Sequence, residues 1–137
     1  MNQLHTTSTD RPIAELATAF YTAVLSGDAD GVRAAATPDV RLHVPGTQPL
    51  AGTHVGPDAV LAFAAASRAT TDTGERIEPI DLLTSDQYAA LYCRVRAERG
   101  DRQLDNLTVH LARIDGGRIA EIWLHNFDGR HVDEFWS

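Results

Sequence analysis

Apolar positions recur at helical spacing in the first half of the chain and at strand spacing in the second. Ile13, Leu16, Ala17, Phe20 and Val24 fall three or four apart, the stripe of an amphipathic helix. Pro12 suits its first turn, where the missing N–H costs nothing, and Thr9 or Asp10 can cap it. Ser26-Gly27 ends it. Asp28 caps a second helix over 29–36, stopped by Thr37-Pro38. Residues 40–44 read as a short strand closed by Pro45-Gly46, and residues 46–56 as a loop. Pro57-Asp58 opens a third helix over 59–68, with Val60, Phe63 and Ala64 on one face. Residues 70–75 are a polar loop.

The period then changes to two. Residues 76–84 read as a strand whose Pro79 places it at an edge or a bulge. Residues 88–98 form a stronger strand. Residues 104–114 and 118–126 flank Asp115-Gly116-Gly117, a hairpin turn that needs the positive φ these residues tolerate. Leu107, Val109 and Leu111 alternate along its first arm. Residues 128–136 are either a short helix or a tail that lays Val132, Phe135 and Trp136 on the body. Strands this long twist, so the sheet is expected to curve. The order predicts an α+β fold: a cone-shaped, curved antiparallel (mixed) sheet with helices packed on its concave face. Residues 1–10 are expected to be a flexible tail and residues 11–137 a single domain. Where the helices fail to reach the sheet, an apolar pocket for a small molecule is expected.

Composition narrows the function classes. A chain of 137 residues suffices for one core. The net charge of −7 argues against nucleic acid or an anionic membrane surface as partner. Apolar runs are too short to span a bilayer, and the first ten residues lack a secretory apolar region, so a cytoplasmic setting is expected. Cys93 is the only cysteine, which excludes an internal disulfide, and its alternation with Leu91 and Val95 suggests a core thiol. No Gly-rich phosphate loop, G-x-S-x-G or H-E-x-x-H is present, and His125, Asp128, His131 and Asp133 have no metal-ligand spacing. No metal and no cofactor are expected.

Three segments carry a resemblance. Residues 25–32, Leu-Ser-Gly-Asp-Ala-Asp-Gly-Val, resemble the GD-x-D-G signature of the nuclear transport factor 2-like superfamily. Residues 49–60 resemble its L-x-G-x-x-G-x-x-A loop-to-helix segment, and residues 117–123 its G-K/R-I-x-E-x-W final strand. They stand in the family's order and spacing over about residues 12–126, and are most similar to the SnoaL-like branch, which includes polyketide cyclases. The resemblance implies a role in secondary metabolism as a cofactor-independent cyclase, isomerase, dehydratase or hydrolase. The substrate would be a small apolar carbonyl compound. A non-catalytic binding or dimerisation module is the alternative.

Matched position by position, the family's catalytic residues are replaced. The tyrosine of the ketosteroid isomerases falls on Phe20, with Tyr21 one step round the helix. Their general base falls on Val44 and their protonated oxyanion donor on Val109. The cyclases' aspartate falls on Leu124. The pocket either only binds, or takes its chemistry from other residues. On strand parity it is expected to be lined by Phe20, Val44, Phe63, Val109, Ile122 and Leu124. Asn126 is either a polar anchor for the ligand or a buried structural amide. His54 is either an acid or base at the mouth or a loop histidine bonded to backbone. Matching to the isomerases turns Tyr92 inward, whereas hydrophobic alternation turns Leu91 inward. Arg94 and Arg96 are then either solvated or face an anionic ligand. The catalytic candidates are His54, Tyr92 and Asn126. His43 and His110, next to replaced acid positions, are expected to face away from the pocket. A homodimer through the sheet's outer face is expected.

Overall fold

A computed structural model describes residues 11–137; the tail expected over residues 1–10, and the caps expected at Thr9 or Asp10, lie outside the described residues. In chain order the elements are α1 (Arg11–Ser26), α2 (Ala29–Ala35), β1 (Ala36–Val44), β2 (Gly52–Val55), α3 (Pro57–Thr70), β3 (Arg76–Thr84), β4 (Tyr88–Arg99), β5 (Arg102–Asp115), β6 (Arg118–Asn126) and α4 (Gly129–Trp136). The six strands form one open sheet in the order β2-β1-β6-β5-β4-β3. Only β1 and β6 run parallel. The fold is thus α+β with a mixed sheet.

Three register shifts interrupt the ladders, between Ala36 and Arg41, Pro79 and Asp81, and Arg113 and Ile114. Such bulges bend a sheet and sharpen its twist. Each has a local cause or consequence. Pro38 sits in the first, where no ladder N–H is required of it, so β1 begins at Ala36 rather than at the expected Val40. Pro79 sits at the second, on the edge strand. The third falls on β6: Arg113 pairs with Glu121 but Ile114 with Ile119, so Ala120 is the extra residue.

The loop expected over residues 46–56 contains a strand. Residues 52–55 form the edge strand β2, pairing Leu42 with His54 and His43 with Thr53. Four residues beginning at a glycine are too few to show a period. The C-terminal segment is a helix: the Asp128 side chain accepts from the His131 amide, and Val132, Phe135 and Trp136 are buried.

Two apolar clusters hold the concave side. One joins Phe20 and Ala23 of α1, Val32 of α2 and Val60 of α3 to Val40, Leu42, Ala112, Ile119 and Ile122 of the sheet. The other packs Val132, Phe135 and Trp136 of α4 on Cys93, Val95, Ala97 and Leu104. Phe135 and Trp136 meet edge to face at 4.9 Å, an arrangement aromatic rings favour. Arg99 and Arg102 donate to the carbonyl oxygens of Phe135 and Ser137, satisfying the end of α4. Between the clusters the helices do not meet, and a cavity remains.

Candidate active site

The cavity measures about 140 Å3. Phe20, Tyr21, Val24 and Leu25 of α1 form one wall, and Val60, Phe63, Ala64 and Ser67 of α3 another. Leu42 and Val44 of β1, Ile122, Leu124 and Asn126 of β6, and Leu104, Asn106, Thr108 and His110 of β5 form the floor. Gln48, Leu50, Val132 and Trp136 close one end, and Glu75, Ile77 and Val95 line another side. Leu25, 51% exposed, stands at the rim.

Of the residues expected to line the pocket, Phe20, Val44, Phe63, Ile122, Leu124 and Asn126 do so. Val109 does not; its place is taken by His110. The cause is the bulge at Ala120. An unbroken hairpin closed at Asp115 and Arg118 would pair Val109 with Leu124. The extra residue slips the ladder by one, so His110 pairs with Leu124 and Val109 with His125. A slip of one residue exchanges the two faces of a strand. The expectation that His110 faces away is therefore overturned. His43 faces the convex side, where its ring lies 5.7 Å from Trp123 and its Nε2 is 2.6 Å from Glu121.

Tyr92 also departs from its expected place. It pairs with Val109, on the convex face, while Leu91, Cys93 and Val95 point inward opposite His110, Thr108 and Asn106. Its ring stacks on Phe127 at 5.7 Å, so it cannot reach a ligand in the cavity. Arg94 and Arg96 share that outer face and pair with Asp105 and Glu78. His54 does not line the cavity. Its Nε2 lies 3.1 Å from the Leu50 carbonyl oxygen and its ring 5.1 Å from Phe63, behind two residues that do. Asn126 lines the cavity, and its Oδ1 accepts from Asn106 Nδ2 at 2.9 Å.

Three groups able to take part in proton chemistry lie in the cavity, and none was among the sequence candidates. Tyr21 and His110 face each other, Oη to Nδ1 3.1 Å, with rings 5.8 Å apart and nearly parallel. Burial pushes the His110 imidazolium down to about 4, so the ring is neutral near pH 7, and it pushes the Tyr21 phenol up. The pair holds one O–H and one N–H proton but makes one mutual hydrogen bond. Whichever tautomer His110 adopts, one proton is left to donate: the Tyr21 hydroxyl or the His110 Nε2–H.

Glu75 is the only carboxylate among the lining residues. Burial raises its pKa, against the hydrogen bond donated by Ser67 Oγ and the charge of Arg68. Its loop is fixed on both sides. The Asp72 amide donates to the Glu98 carbonyl oxygen, the Asp72 carboxylate accepts from the Gly100 amide, and Arg76 pairs with Glu98. In sequence Glu75 is one acid in a polar loop, and only the contact between this loop and α3 turns it inward. Tyr21 and His110 had a signal, since each neighbours a matched family position, but strand parity hides it for His110 and the step of about 100° round α1 hides it for Tyr21.

An open, bent sheet with helices in its concave face and a cavity beneath them defines the nuclear transport factor 2-like, or cystatin-like, class. The chain belongs to the SnoaL-like domain family, whose model matches residues 17–122. It is 31% identical over 131 residues to an uncharacterized protein of Mycobacterium tuberculosis, covering 94% of this chain and 99% of that one. Among solved structures it is similar to Bal32a from a soil-derived mobile gene cassette. The TM-score is 0.82 and the identity 26%, over 95% of this chain and 100% of that one. It shares the fold of IdmH, a putative polyketide cyclase from Streptomyces antibioticus, with a TM-score of 0.67 and 20% identity over 85% and 92% of the two chains.

Proposed function

We propose that the protein is a cofactor-independent enzyme of cyclase or isomerase type that acts on a small, largely apolar carbonyl compound held in this cavity. The observation that carries the reading is a neutral Tyr21–His110 donor pair and a carboxylate, Glu75, in one apolar chamber. A carbonyl oxygen hydrogen-bonded to the free proton of the pair would gain stabilisation as negative charge developed on it. Glu75, its pKa raised by burial, would remove the proton from the adjacent carbon. The enolate so formed could be reprotonated elsewhere or close on a second carbonyl. The chamber's apolar walls strengthen both interactions by excluding water.

The test needs no natural substrate. Cyclopentanone and cyclohexanone exchange their α-hydrogens in D2O, a reaction followed by NMR. Wild-type protein should accelerate that exchange, and Glu75→Gln should lose about a hundredfold or more of the acceleration. Tyr21→Phe should lose part of it. No acceleration by the wild type beyond an equal concentration of acetate and imidazole would sink the enzymatic reading.

We also propose that two copies pair through the convex face. Leu107, Val109, Leu111 and Trp123 lie half-buried there, and Leu83 and Phe127 are 56% and 62% exposed. Contiguous apolar surface of this kind marks an interface. Light scattering should give twice the chain mass, falling to the chain mass for Val109→Arg. A monomeric wild type at high concentration refutes the pairing.

A further inference from the structure

Asn106 is 5% exposed, and its Oδ1 is buried without a hydrogen-bond partner among the described residues. Its Nδ2 donates to Asn126 Oδ1 at 2.9 Å, the one side-chain hydrogen bond that either amide makes there. Both side chains line the cavity. A buried amide oxygen left unpaired is costly, and in a binding cavity it marks the place of a ligand donor. We infer that the Asn106–Asn126 pair is the polar recognition element of the cavity. It selects a neutral, ring-sized ligand whose polar end both donates and accepts a hydrogen bond, as a hydroxyl or an amide edge does.

Either orientation of the two amides leaves the same pair of free functions. As oriented, Asn106 Oδ1 is the free acceptor and Asn126 Nδ2 the free donor. With both amides turned over, Asn106 Nδ2 becomes the free donor and Asn126 Oδ1 the free acceptor. One bond between two amides leaves one function of each kind in either case. A ligand that only accepts, such as an ether, leaves an acceptor unpaired.

Two further observations set the rest of the class. Among the described residues no Lys or Arg lines the cavity, and the only charged group there is Glu75. A carboxylate or phosphate would be desolvated there beside a like charge, so the ligand is neutral. The volume of about 140 Å3 is close to that of an apolar cavity known to accept benzene, roughly 150 Å3. One ring with a polar substituent fills it.

This inference rests on the cavity being the ligand site and deepens that reading. Toluene, anisole and phenol are three rings of similar size, and their binding can be measured by calorimetry or ligand-detected NMR. In a purely apolar cavity phenol binds worst, because its hydroxyl gives up water for nothing. Recognition by the pair reverses the order, with phenol roughly tenfold tighter than anisole. Asn106→Leu, close in shape and apolar, should abolish that preference while toluene binds at least as well as before. Phenol weaker than or equal to anisole in the wild type overturns the inference and leaves the cavity reading standing. A preference that persists in Asn106→Leu also overturns it. If no ring binds the wild type, the ligand-site reading itself fails, and this inference with it. The wild-type series decides the question even if Asn106→Leu does not fold.

Discussion

The two faces of β5 invert the usual rule of sheet construction. Toward the helices it presents Leu104, Asn106, Thr108, His110 and Ala112; away from them, Asp105, Leu107, Val109, Leu111 and Arg113. The middle of the strand is thus polar on its inner side and apolar on its outer side. An inner face that only held helices would carry the aliphatic set, because burial of apolar area is what such packing gains. An outer face that met only water would carry the polar set. The inversion is what the proposed ligand cavity on the inside and the proposed pairing on the outside would both require.

The contrast can be broken by substitutions chosen in pairs. Ile122→Ala removes inner volume from the core cluster and should cost about 2–4 kcal/mol in urea denaturation, toward the low end because the site already borders a cavity. Val109→Ala should cost under about 1 kcal/mol at dilute concentration, and more when concentration favours pairing. Equal costs, independent of concentration, would mean that the two faces do not differ in kind.

A smaller effect separates the faces by pH. The unfolded chain protonates His110 near 6.5, whereas the folded chain resists protonation down to about 4. Stability should therefore fall as pH drops through that interval, by up to about 3 kcal/mol, and level off below it. His110→Gln should flatten the loss. Glu75 acts with the opposite sign: its raised pKa makes the folded state lose stability as pH rises above 4.5. In Glu75→Gln the acid-side loss should accordingly look steeper. A wild type and a His110→Gln variant with parallel pH–stability curves would show that His110 is not desolvated.

The smallest effect belongs to the outer face. The His43 hydrogen bond, with help from Arg113, lowers the pKa of Glu121, so its contribution is present above pH 4.5 and fades as pH falls below. Glu121→Gln should cost only about 0–1 kcal/mol near pH 7 at dilution that keeps the chain monomeric. A cost of several kcal/mol would place this group in a drier setting than the open face provides, and would point to coverage by a second chain.

Much of the fold was legible in the sequence because local signals agreed with the global one. The Asp115-Gly116-Gly117 turn, the edge position of Pro79 and the stripe of α1 all stand where the pattern put them. What failed was counting across the hairpin. Ala120 carries no mark of a bulge, being neither glycine nor proline, and the alternation of Leu107, Val109 and Leu111 reads as an inward set under the ordinary rule. Both errors moved Val109 inward and His110 outward. Tyr92 was open to either reading because its neighbours are apolar and its family match pointed the other way. Glu75 was out of reach for another reason: its orientation is set by Ser67 of α3, eight residues before it, and by the hold of β4 on its loop, and neither contact has a periodic signature in the sequence.

The bulge at Ala120 also bears on how such a chain can change by descent. In a loop, loss of one codon shortens a connection and little else. Here, loss of the Ala120 codon would leave every pair on either side of the bulge as it is, Ile114 with Ile119 and Arg113 with Glu121, and would remove the bend that the extra residue puts into the sheet. His110 and Leu124 would stay side by side on the concave face, and only the curvature of the hairpin beneath the cavity would change.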